Sequence, residues 1–118
     1  DVYKRQHYIQ IAFEEEHENF AFGYWTRNTS NTDGYPTAAE FQISNDGENW
    51  ETVTVLSGLP ATKATRYSSD YVIAGKKFKY FRFNVISSSL NKNYFHIGEI
   101  YFYDVEVEVY DPETVPLD

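Results

Sequence analysis

The sequence predicts an all-β domain, a sandwich or barrel of about seven strands, on three observations. Aromatic residues make up 19% of the chain, with Tyr 11 and Phe 9, and such side chains favour the pleated, half-buried surface of a sheet. Apolar and polar residues alternate with period two through several short stretches, each bounded by turn formers. No stretch sustains a helical period, and no internal repeat is visible.

The clearest element is the hairpin at residues 41–50, FQISNDGENW. Phe41 and Ile43 point to one face and Gln42 and Ser44 to the other. Asn45-Asp46-Gly47 then supplies side chains that bond their own backbone and a glycine that accepts φ > 0. Trp50 restarts the apolar pattern in the returning strand and is expected mainly in the core. Upstream, residues 7–14 alternate as a strand. The acidic run Glu14-Glu15-Glu16 with Glu18 marks a solvated turn, and nothing in it fixes a calcium geometry. Residues 19–27 form the next strand, with Phe20, Phe22 and Tyr24 on one face and the small Ala21 and Gly23 beside Trp25 and Arg27 on the other.

Residues 28–36 form a polar loop, long enough to be a functional candidate. Downstream of the hairpin, residues 67–74 read as a short strand closed by a Gly75-Lys76-Lys77 turn. Residues 79–86 alternate strongly. Residues 87–93 make another polar loop. Residues 94–103 read as the last strong strand, with a change of parity at Gly98-Glu99 that signals a bulge.

The totals bound the function. A chain of 118 residues is one domain with a single core. The formal charge of −8 opposes nucleic acid and anionic membrane as partners, because phosphates would be repelled. No run approaches the ~18 apolar residues of a membrane span. Without cysteine there is no disulfide, thiol nucleophile or Cys-based metal site. No pair of carboxylates and no serine stands in a catalytic context, so an enzyme is not expected. Residues 1–6 (DVYKRQ) resemble the in-frame translation of a transposase adapter used in sequencing libraries and are expected to be a non-native scar, with the original N-terminal segment lost. The domain is then expected over residues 7–104, with residues 105–118 an edge strand or a linker.

Four stretches in order resemble the discoidin family, the coagulation factor 5/8 type C domains, which overlaps carbohydrate-binding module family 32. They are Tyr8-Ile9-Gln10-Ile11, the hairpin Ser44-Asn45-Asp46-Gly47-Glu48-Asn49-Trp50, the strand Phe78-Lys79-Tyr80-Phe81-Arg82-Phe83, and the closing His96-Ile97-Gly98-Glu99-Ile100-Tyr101-Phe102-Tyr103. The resemblance implies a jelly-roll β-sandwich, incomplete at its N-terminus. It also implies a non-catalytic module that binds glycan, galactose-containing sugars among them, through loops at one end. Such modules are linked to catalytic or surface domains of secreted or surface bacterial proteins. A structural or protein-contacting sandwich that spaces domains is the alternative, and its mark would be the absence of a stacking aromatic and an open cleft near Arg27. The family's structural calcium would use Glu99, but with the opening segment missing that site is expected to be incomplete, leaving no cofactor.

Sugar binding needs an aromatic face for the pyranose ring and fixed polar groups for its hydroxyls. Arg27 offers a planar fork of donors, or else an ion pair at the end of the sandwich. Asn28 and Asn31 offer amides, unless they serve the turn. Tyr35 and Tyr94 flank the two loops as candidate platforms. Trp25 shares the face of Arg27, where both a platform and a core role stand open. His7, His17 and His96 have no metal-ligand spacing, and His96 is expected to pack within its strand.

Overall fold

The computed structural model describes residues 7–30, 33–92 and 94–104. Among the described residues six strands, β1 (Tyr8–Trp25), β2 (Pro36–Ser44), β3 (Glu51–Leu56), β4 (Arg66–Ser68), β5 (Val72–Ser88) and β6 (Ile100–Tyr103), form an antiparallel sheet that curls on itself into a sandwich. The order is β3-β2-β5-β1-β4, with β6 also on β1. The two layers share β1. Its first part pairs with β5, from Tyr8↔Asn84 to Ala12↔Tyr80. Its last part lies between β4 and β6, where Gly23 is opposite both Ser68 and Tyr101.

The alternation read from the sequence sets the core. Phe20, Phe22 and Tyr24 of β1, Phe41 and Ile43 of β2, and Phe78, Phe81 and Phe83 of β5 are all buried. Phe81 lies at its centre, with ring centroids 5.1 Å from Phe20, 5.1 Å from Phe22, 5.5 Å from Phe41 and 5.2 Å from Phe102 of β6. Burying each such ring contributes about 1.5–3 kcal/mol. One aromatic cluster thus binds both layers.

The hairpin turn forms as its residues dictate. Ser44 Oγ accepts from the backbone N–H groups of Gly47 (2.8 Å) and Asp46 (3.2 Å). Asp46 Oδ1 accepts from the N–H groups of Asn49 and Glu48, both at 2.8 Å. These donors hold the Asp46 carboxyl well below the usual carboxylate range, helped by the Asn49 and Ser44 side chains. Gly47 takes φ 78°, a left-handed conformation that glycine adopts without a Cβ penalty.

Several expectations need correction. The acidic run is not a turn. β1 continues through Glu14–Glu18, and register shifts on either side of His17 accommodate it. A bulged strand loses its strict alternation, so consecutive charges can stay exposed without ending it. Gly75-Lys76-Lys77 likewise lies inside β5, where Gly75 has φ 80°. Residues 94–99 are not strand, and β6 is only the four residues Ile100–Tyr103. Trp50 is half-buried outside the core, because Arg82 points out of the sheet between Phe81 and Phe83 and stacks on it. The Arg82 guanidinium carbon lies 3.9 Å from the Trp50 ring and 4.0 Å from the Tyr8 ring. Residues 1–6 and 105–118, for which a scar and an edge strand or linker are expected, lie outside the described residues.

Candidate functional site

β1 ends at Trp25, and the chain beyond it is held from both sides. On one side, Gly98 N–H donates to the Trp25 carbonyl and Trp25 N–H to the Glu99 carbonyl, both at 2.8 Å. Two residues thus oppose one, the bulge expected from the parity change. Glycine is required because a Cβ at position 98 would lie 2.7 Å from the Trp25 carbonyl oxygen. On the other side, Thr26 N–H donates to the Thr65 carbonyl (2.8 Å) and Ala64 N–H to the Arg27 carbonyl (3.2 Å). The Thr26 hydroxyl donates to the Thr62 carbonyl (2.6 Å) and accepts from Thr65 N–H (2.7 Å). This side chain is 3% exposed, and Ala64 takes φ 49° to complete the crossing.

Between these supports lies an open cleft of about 390 Å³, lined by Trp25, Thr26, Arg27, Asn28, Ala64, Gly98 and Glu99. Trp25 is 38% exposed, because alternation along β1 turns Phe22 and Tyr24 inward and Trp25 outward. Arg27 and Asn28 are exposed beside it. The cleft thus combines an indole, a guanidinium, an amide and a carboxylate. Glu99 Oε2 also accepts from the Tyr101 hydroxyl, a bond that raises the Tyr101 phenol above its ordinary range.

Not all the sequence candidates converge here. Tyr35 is 1% exposed and presents no ring face to solvent. It packs edge-on against His96 at 4.8 Å, and the His96 Nε2 bonds the Asp33 carbonyl at 2.6 Å, the packing role expected for this histidine. Tyr94 is half-buried and lines a separate small cavity with His7, Ser87 and Lys92. Its ring covers Gly34, where a Cβ would lie 2.7 Å from Tyr94 Cε2. Asn31 lies outside the described residues. Ala64, the residue of the 62–65 segment that lines the cleft, carries no sequence signal; Gly98 was marked by its parity change alone. His17 packs against Phe13 at 4.5 Å and bonds Asp104. Among the described residues no group of three or more His, Cys, Asp or Glu gathers, whereas Ca²⁺ takes 6–8 oxygens.

A model of the F5/8 type C domain matches residues 1–100. The chain belongs to the F5/8 type C domain family. The resemblance read from four stretches is thereby shown, and the sandwich is that of the family. Among solved structures, this F5/8 type C domain is similar to a fragment described as a "putative chitobiase" from Bacteroides thetaiotaomicron, with a TM-score of 0.62 and 19% identity. The similarity covers 87% of this chain and 63% of that one, so the domain spans less than two thirds of the neighbour. At this identity the likeness is one of fold. No curated protein matches the sequence significantly. Among the described residues no helix is long and apolar enough to cross a membrane.

Proposed function

We propose that this F5/8 type C domain is a non-catalytic glycan-binding module whose site is the Trp25–Arg27 cleft. The observation that carries this reading is the exposed indole of Trp25 on the wall of an open cleft shared with Arg27, Asn28 and Glu99. An indole stacks on the apolar face of a pyranose. Arg27 and Asn28 donate to its hydroxyls, and the Glu99 carboxylate accepts from them. An uncharged ligand suits a chain of formal charge −8.

Galactosides are the first ligands to try, from the family resemblance. N-Acetylglucosaminides are next, from the name of the structural neighbour. The module is assigned to a secreted or surface bacterial protein, joined to a catalytic or surface domain. One shallow site binds at about −4 to −8 kcal/mol, a millimolar to micromolar constant, and linkage raises retention through effective concentration. On this reading the sugar is held by Trp25, Arg27, Asn28 and Glu99 without calcium. The domain-spacing alternative would lack a stacking aromatic and an open cleft at this end, and the presence of both favours glycan.

Glycan arrays followed by titration calorimetry test the proposal. Trp25→Ala is expected to abolish glycan binding and, because the 38% exposed indole is otherwise covered by protein, to lower stability by about 1–3 kcal/mol while the chain stays folded. A folded chain that binds no galactoside, glucoside, mannoside or N-acetylglucosaminide overturns it.

A further inference from the structure

The outward face of the β4–β1–β6 layer carries a second set of aromatic rings contiguous with the cleft. Phe22 and Phe102 pair inward, so their neighbours Tyr101 and Tyr103 point out, opposite Gly23 and Ala21. Their rings are nearly parallel, with planes 5° apart and centroids at 6.4 Å. Tyr103 is 37% exposed.

The small residues of β1 explain how this surface forms. Gly23 lies in register between Ser68 of β4 and Tyr101 of β6, strands roughly 10 Å apart across β1. With no side chain at Gly23, Arg66 reaches from β4 over β1 to within 5.9 Å of the Tyr101 ring. Glu99 fixes the other side of Tyr101 by accepting its hydroxyl hydrogen bond, and Glu99 also lines the cleft with Trp25. Tyr101 is therefore positioned by partners on both sides, and the Tyr103 ring lies parallel to it.

We propose that this face extends the cleft and takes a linear, uncharged polysaccharide laid along β6, several sugar units long. The inference rests on the glycan reading of the cleft and adds the class of ligand. From Glu99 to Tyr103 the row spans roughly 13 Å at ~3.3 Å per residue, more than one pyranose ring covers. Flat rings alternating with a cation and a carboxylate suit a chain of hydroxyl-rich rings. Arg66 and Glu99 offset one another in charge, which gives a charged polymer no net attraction here.

The test is a length series on the full chain: galactose and β-1,4-galacto-oligosaccharides, and N-acetylglucosamine and chito-oligosaccharides, from one to five units, by titration calorimetry. Affinity is expected to rise with length for one series. Tyr103→Ala is expected to remove that rise, weakening the longest ligand by roughly fivefold to tenfold, the size of one stacked-ring contact, while leaving the monosaccharide unaffected. Tyr103→Phe retains the ring and is expected to retain the rise. Affinity independent of length, or a rise that survives Tyr103→Ala, overturns the extended face and leaves the cleft reading intact. Binding of no ligand in either series, and of no glucoside or mannoside of the same lengths, overturns both.

Discussion

Two hydroxyls in this domain hold two chain reversals by the same chemistry, and they differ in how far along the chain their partners lie. Ser44 bonds the backbone two and three residues ahead. Thr26 bonds Thr62 and Thr65, 36 and 39 residues away. The hairpin around Ser44 closes from its own residues and would form wherever the flanking strands pair. The crossing around Thr26 exists only once β4, β6 and the 62–65 segment have assembled on β1, and it is this crossing that shapes the candidate glycan cleft.

The largest effect is expected where both regions share a foundation. Phe81 touches Phe20 and Phe22 of β1, Phe41 of β2 and Phe102 of β6. Phe81→Ala is therefore expected to cost about 3–5 kcal/mol and to lower both regions in one cooperative denaturant transition. Two separate transitions, read by Trp25 and Trp50 fluorescence in the matched single-tryptophan variants, would show that hairpin and crossing are independent.

A smaller effect separates the two. Thr26→Val keeps the shape and removes the hydroxyl, leaving Thr65 N–H and the Thr62 carbonyl without this partner in a part-buried place. It is expected to cost about 1 kcal/mol and to weaken glycan binding, because the segment that carries Ala64 into the cleft wall loosens. Ser44→Ala is expected to cost stability without touching affinity. Equal loss of affinity in the two variants would mean that the crossing does not define the site.

The same distinction explains what was legible in the sequence. Alternation in Phe20-Ala21-Phe22-Gly23-Tyr24 and in Phe41-Gln42-Ile43 named the core faces, because period two is a local property. Asn45-Asp46-Gly47 named its turn for the same reason. Gly98 was visible as a change of parity, though not what it avoids, since the Trp25 carbonyl comes from 73 positions earlier in the numbering. Glu14–Glu18 and Gly75–Lys77 were misread as turns. Each is a bulge, and its continuation as strand depends on the partner strand across the pair. Tyr35 looked like a loop aromatic, yet Ser89 donates to its carbonyl and the Ser89 hydroxyl accepts its N–H, drawing it into the interior. Parity placed Trp25 beside Arg27 but left a platform and a core role open, and Ala64, which lines the cleft with it, takes a left-handed conformation with no glycine to announce it.

The smallest expected effect is one of pH. In the folded chain the Asp46 carboxylate accepts from Asn49 and Glu48 N–H, and its proton affinity is depressed. In the unfolded chain the group titrates near the ordinary value of about 3.9. A depressed folded value stabilises the fold above the unfolded value and is lost as pH falls through and below it. Asp46→Asn keeps the size and lacks the charge. The melting-temperature gap between parent and variant is therefore expected to be widest above pH 5 and to narrow steadily toward pH 2. Thr26→Val carries no titrating group, so its gap is expected to stay constant over the same series. A constant gap for Asp46→Asn would mean that the hairpin is held by the shape of its turn and not by the charge on Asp46, and the contrast with Thr26 would then reduce to distance along the chain alone.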